Sequence, residues 1–143
     1  MNLLTGIQST SSALNAERVR MEVVSQNIAN ANVTNFKDGK PYRRQVVTFE
    51  SALQDQMGAG ATGASPEAVQ VAKILDDTRP PRMVHNPSDP VADSNGWVAT
   101  PNINIHEEMA DMITSSRAFE ANLAVVKASR NLTMQTLSIG KRS

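Results

Sequence analysis

Along the first 31 residues the large apolar side chains fall at Leu3, Ile7, Leu14, Met21, Val24 and Ile28, and Ile7, Leu14, Met21 and Ile28 are spaced by seven. A seven-residue repeat puts side chains on one narrow helical seam, nearer to a coiled coil than to a broad globular face. The pattern predicts a helix over residues 3–31. It is a weak one, because Thr10 and Glu17 hold intervening seam positions and Gly6 costs about 1 kcal/mol relative to Ala inside a helix. Asn27, Asn30, Asn32 and Asn35 then crowd together. Asn tolerates left-handed backbone and bonds its own main chain, so the helix should end there.

The middle of the chain loses this period. Residues 36–41 read as a turn, and residues 42–50, with Tyr42, Val46, Val47, Thr48 and Phe49, as a strand. Residues 68–75 partly alternate and read as a second strand, and the Gly/Ala/Ser-rich residues 58–66 between them as a flexible loop. Pro80, Pro81, Pro87 and Pro90 exclude a central strand, but Arg82, Met83, Val84 and His85 can form an edge strand. After the turn signal Asp93-Ser94-Asn95-Gly96, another extended piece begins at Trp97. Residues 36–102 are thus expected to be a small, loop-rich β module.

From residue 107 to residue 139 there is neither Gly nor Pro, and Met109, Met112, Phe119, Leu123, Val126 and Leu137 recur at helical spacing. This predicts one long helix of about 50 Å. Asn104 is placed to cap it with Glu107 as capping-box partner, and Gly140, Lys141 and Arg142 supply a stop. A second apolar line runs through Ala121, Val125, Ala128, Leu132 and Ile139. The predicted class is α+β: terminal helices over residues 1–35 and 103–143 packed as a coiled-coil or bundle domain, with the β module between them.

Composition narrows the function. The 143 residues carry 14 Lys plus Arg against 14 Asp plus Glu and no Cys. Zero net charge without a basic block gives no footprint for nucleic acid, and the missing thiols remove disulfides, thiolate catalysis and Cys-based metal sites. The first residues lack the charged and apolar regions of a cleavable signal. No stretch near 18 apolar residues is present, so no membrane span is expected.

Candidate chemistry is sparse. Gly58, Gly60 and Gly63 fit G-x-G-x-x-G, but Ser65 and Pro66 follow where a helix is required. His106-Glu107-Glu108-Met109-Ala110 starts like the zinc helix H-E-x-x-H, with Ala110 where the second His belongs. Glu107, Glu108 and Asp111 read as first-turn charge favouring the positive end of the helix. No cofactor, metal or catalytic group is therefore expected. Arg43 and Arg44 read as a solvated or subunit-bridging face. Asn27, Asn30 and Asn32 either end a helix or bond between subunits to fix their register.

Two blocks carry a resemblance. Residues 25–32, Ser-Gln-Asn-Ile-Ala-Asn-Ala-Asn, and residues 108–113 with 116–122, Glu-Met-Ala-Asp-Met-Ile and Ser-Arg-Ala-Phe-Glu-Ala-Asn, resemble the terminal blocks of the flagellar rod and hook axial proteins. Within that family, Pro41 to Arg44 and the run from Asn86 through Gly96 to Asn104 resemble the proximal-rod branch. The resemblance implies a structural subunit, not an enzyme. It implies export through the flagellar type III apparatus without signal cleavage, and a place in the periplasmic rod. Its expected partners are copies of itself, other rod proteins, the membrane-embedded basal ring and the export apparatus.

The residue pattern suits such an assembly. Burying an aliphatic side chain contributes about 1.5–3 kcal/mol, while ordering each residue costs about 1–2 kcal/mol. Two narrow helices touching only each other are marginal, so folding of the ends should be coupled to assembly. The expected subunit interface is Ile7, Leu14, Met21, Val24, Asn27, Ile28 and Asn30 of the first helix. From the second it takes Met109, Met112, Phe119, Leu123, Val126, Leu132 and Leu137. A soluble coiled-coil adaptor or secretion chaperone would use the same amphipathic ends and is the alternative.

Overall fold

The computed structural model describes residues 3–37, 39–52 and 68–140. The elements are helix α1 (Leu3–Ala29), strands β1 (Gln45–Ala52), β2 (Ala68–Asp76), β3 (Arg82–His85) and β4 (Trp97–Thr100), and helix α2 (Ile105–Gly140). This is the expected α+β plan, two long terminal helices around a small β region. The loop expected over residues 58–66 lies outside the described residues.

Helix α2 begins at Ile105, directly after the expected cap. Asn104 is the cap: its Oδ1 accepts from the His106 N–H at 3.1 Å and its carbonyl from the Glu108 N–H at 3.1 Å. That makes Ile105 the first helical residue. No bond from Glu107 back to the Asn104 N–H closes a capping box among the described residues. Helix α1 ends as its Asn residues suggest, with the Asn30 side chain donating to the Gln26 carbonyl at 2.8 Å.

Strands β1 and β2 form an antiparallel hairpin whose register runs from Gln45↔Asp76 to Ala52↔Ala68, with a slip between Thr48 and Phe49. Pairing starts at Gln45, not at Tyr42, because the preceding residues are engaged elsewhere: the Tyr42 N–H donates to the Val33 carbonyl at 3.1 Å. Strands β3 and β4 make a separate antiparallel hairpin, Arg82↔Thr100 to His85↔Trp97, and among the described residues approach no other helix or strand.

The two helices run antiparallel, since Asn27 near the end of α1 meets Glu108 near the start of α2. The first hairpin packs against α1. The buried apolar residues are few and mostly small: Ala16, Val23, Val24, Ala31, Tyr42 and Val98. Two of the largest fully buried side chains are polar, Glu108 at 0% exposure and Asn27 at 1%.

Candidate functional site: a buried polar junction and an open helix face

Asn27 lies two residues from the end of α1, where the polypeptide turns toward the β region. Its side-chain amide pairs with the main chain of Gln45 as a neighbouring strand would: Nδ2 donates to the Gln45 carbonyl at 2.9 Å, and Oδ1 accepts from the Gln45 N–H at 2.9 Å. Nδ2 also donates to Glu108 Oε2 at 3.0 Å, and Oδ1 accepts from the Tyr42 hydroxyl at 3.0 Å. Two donated and two accepted bonds use the whole capacity of the amide.

Glu108 is satisfied from the other side. Its Oε1 accepts from Arg44 Nε at 2.6 Å, and the Arg44 guanidinium stands 3.9 Å from Asp77 and 3.8 Å from Asp111. Buried carboxylates are tolerated when paired and hydrogen-bonded, and here both conditions hold. Burial, and then the negative charges of Asp76 and Glu108, push the Tyr42 hydroxyl above its ordinary pKa. A hydrogen bond from the Arg79 side chain, foremost, holds the Asp77 carboxyl below the usual range.

This junction revises two sequence readings. Glu108 does sit in the first turn of α2, but its carboxylate is committed to Arg44 and Asn27 and unavailable to a metal. Arg44 is not a solvated face but an internal ion pair, whereas Arg43 is exposed. Among the described residues no group of His, Asp and Glu is disposed to hold a metal. No described helix is long and apolar enough to cross a membrane.

The expected interface residues divide into three groups. Val24 and Asn27 are buried within the chain. Ile7, Leu14, Met21, Ile28, Asn30, Met112, Phe119, Leu123 and Val126 are half-buried. Met109, Leu132 and Leu137 are exposed, the last two at 58% and 62%. On α2 the face of Glu108 continues through Met112, Ser115, Phe119, Asn122 and Val126, alternating steps of four and three. Every residue of α2 beyond Arg130 is exposed. Counting about 24 residues back along α1 from Asn27 and forward along α2 from Glu108 puts the start of α1 beside Leu132. The last turns of α2 therefore extend past their partner.

Two family models match the chain in these same regions. One, described as flagella basal body rod protein, covers residues 7–37, and the other, described as flagellar basal body rod FlgEFG protein C-terminal, covers residues 94–139. Flagellar basal-body rod protein FlgC of Yersinia enterocolitica is 37% identical over 141 residues, 99% of this chain and 100% of that protein. The chain belongs to the FlgC family of flagellar basal-body rod proteins. The FlgC proteins of Bacillus subtilis, 38% identical over 153 residues, and Salmonella typhimurium, 34% over 141, are likewise covered completely, each by 99% of this chain. FlgC proteins are structural rod components, not enzymes, and membership sets aside the adaptor or chaperone alternative. Sequence reasoning missed the Asn27, Tyr42 and Glu108 junction; its one available signal was the placement of Asn27 and Glu108 within the two resembling blocks.

Proposed function

We propose that this FlgC-family chain polymerises helically through α1 and α2 as part of the proximal rod, forming a drive shaft that transmits torque and encloses the export channel. The observation that carries this reading is the outer line of α2. Val125, Leu132 and Ile139 are 52%, 58% and 71% exposed along a strip of about 21 Å, with Ala128 between them and Ala121 one turn before. A strip of this kind marks an interaction surface, and an open surface beside an intramolecular helix pair suits a subunit with neighbours on several sides. Met109, Leu132 and Leu137 supply contacts to neighbouring subunits, and the half-buried Ile7, Leu14, Met21 and Ile28 flank them. Residues 1–35 and 103–143 act as the axial part, and residues 36–102 as an outer module.

The chain reaches a periplasmic rod through the flagellar export apparatus without loss of a signal segment, and it meets the basal ring and other rod proteins there. The marginal core favours passage in an unfolded form. Deleting the chain and supplying an epitope-tagged copy tests the reading. Swimming should require the copy, and purified basal bodies should contain it. A tagged chain that restores motility yet is absent from the rod fraction would overturn it.

A further inference from the structure

Charge is unevenly placed in the β region although the whole chain is neutral. Between Arg82 and Arg117 there is no Lys or Arg, and the turn joining β3 to β4 carries only Asp89 and Asp93 as charges. At the other end of that hairpin lies a cavity of about 210 Å³ walled by the cationic Lys40, Arg43, Arg44 and Arg79 and by Asp77 and Pro81. An adjoining hollow of about 400 Å³ shares the wall from Lys40 to Arg43 and adds Lys37 and one carboxylate residue, Asp76, so that cations outnumber acids three to one. Arg44 and Arg79 are committed to Glu108 and Asp77. Lys40 and Arg43 are exposed and have no carboxylate partner among the described residues.

The acidic turn is built as a rigid projection. Asp89 Oδ1 accepts from the Val91 N–H at 3.0 Å, and Asp93 Oδ1 accepts from the N–H groups of Asn95 at 2.9 Å and Trp97 at 2.8 Å. Each aspartate keeps Oδ2 without a hydrogen bond among the described residues. The turn closes on Gly96, whose φ of +78° and whose hypothetical Cβ only 3.0 Å from Pro87 Cγ exclude other residues. Such a preformed element loses little entropy on docking.

The same chain cannot satisfy both features. Pro81 and Asn102, at the Arg82↔Thr100 end of the hairpin, line the cavity, while the turn lies beyond His85↔Trp97. Three residue steps of extended chain separate those pairs by about 10 Å, and the turn projects further. A tip and a hollow on opposite ends of one rigid hairpin are the two different patches that head-to-tail addition requires.

We propose that the acidic β3–β4 tip, through Asp89 and Asp93, docks into the Lys40/Arg43 hollow of a second copy of this chain. The inference rests on the rod reading and adds a contact outside the helices. Its test uses the absence of Cys from the 143 residues of the chain. Ser94→Cys and Lys40→Cys are combined, basal bodies are isolated, and a short bifunctional maleimide is added, with each single variant as control. Multimers of the chain in the double variant alone support the contact. Double-variant chain that is present in basal bodies but stays monomeric, or links only to a protein of different mass, overturns it. Wild-type chain missing from basal bodies overturns the rod reading instead.

A charge exchange supplies an independent arm. Lys40→Glu/Arg43→Glu, which sets like charges against each other, should lower the chain recovered per basal body by roughly tenfold, and Ser88→Lys/Ser94→Lys, which brings the tip to zero net charge, should lower it by a smaller factor. Combining the two sets should restore most of it. Failure of the combination to recover anything, with secreted levels unchanged, overturns the pairing.

Discussion

Asn27 Nδ2 stands 3.0 Å from Glu108 Oε2, although the two residues are 81 positions apart in the chain. This bond joins the end of α1 to the beginning of α2 within a buried site, and Gln45 and Tyr42 bind the same amide. Removing Asn27 strands the Tyr42 hydroxyl, the Gln45 main chain and Glu108 Oε2, and removing Glu108 takes the nearest carboxylate from Arg44 and one bond from Asn27.

Glu108→Ala, which breaks a buried ion pair, is therefore expected to destabilise the fold by about 3–5 kcal/mol, and Asn27→Ala, which leaves buried donors and acceptors unsatisfied at about 1–3 kcal/mol each, by a similar amount. Glu108→Gln should cost less, since an amide keeps the shape and a bond to Asn27 while losing the Arg44 pair. Urea unfolding followed by far-ultraviolet circular dichroism measures all three. Equal stabilities for wild type and Asn27→Ala would show that the junction contributes nothing.

Tyr42 is the only tyrosine in the chain, so its phenolate absorbance reports the junction directly. Its pKa is raised by burial and by the charges of Asp76 and Glu108. The midpoint should exceed the ordinary value of about 10. A raised folded value means that the contribution of Tyr42 to stability is complete below the unfolded pKa and is lost as pH rises toward the folded one. Glu108→Gln, which removes one of those charges, should bring the midpoint back toward the ordinary value. A wild-type midpoint at or below that value contradicts the structure.

Asp77 behaves in the opposite sense. Arg79 depresses its pKa chiefly through a hydrogen bond, so its stabilising effect is present above the unfolded pKa and disappears as pH falls through the folded one. Carboxyl chemical shifts should show Asp77 titrating below the ordinary Asp range, and Arg79→Ala should move it upward. No movement in that variant would remove Arg79 as the cause.

Leu132→Asp tests the outer face of α2. Leu132 is 58% exposed, so the isolated chain should change in stability by about 0.5 kcal/mol or less. Assembly should fail, because a carboxylate in a packed interface loses hydration without a partner. Lys127→Asp, also exposed, is the control and should assemble and swim. Normal quantities of Leu132→Asp in basal bodies would exclude this strip from the interface.

The elements were readable because their signals are local. A 36-residue helix over Ile105–Gly140 without an interior Pro or Gly, an Asn cap and a proline-bounded hairpin each declare themselves within a few residues. The phase of packing was harder to read. Ile7, Leu14, Met21 and Ile28 dominate an apolar count yet are only half-buried, while Ala16, Val23 and Ser115 are buried. Small residues let helices approach closely but weigh little in a search for large apolar side chains. The junction was out of reach for a different reason: Asn near a helix end and Glu in a first turn already have sufficient local explanations, and only tertiary structure reveals that they share a bond.

The junction sits at one end of the helix pair, and the other end has no comparable fastening among the described residues. The chain is built like tweezers riveted at the base. Opening that begins at the free tips leaves the junction bonds intact, whereas opening at the rivet must break several buried hydrogen bonds together. The tips can thus part while the base still holds the start of β1 against the end of α1, through the two bonds between Asn27 and Gln45.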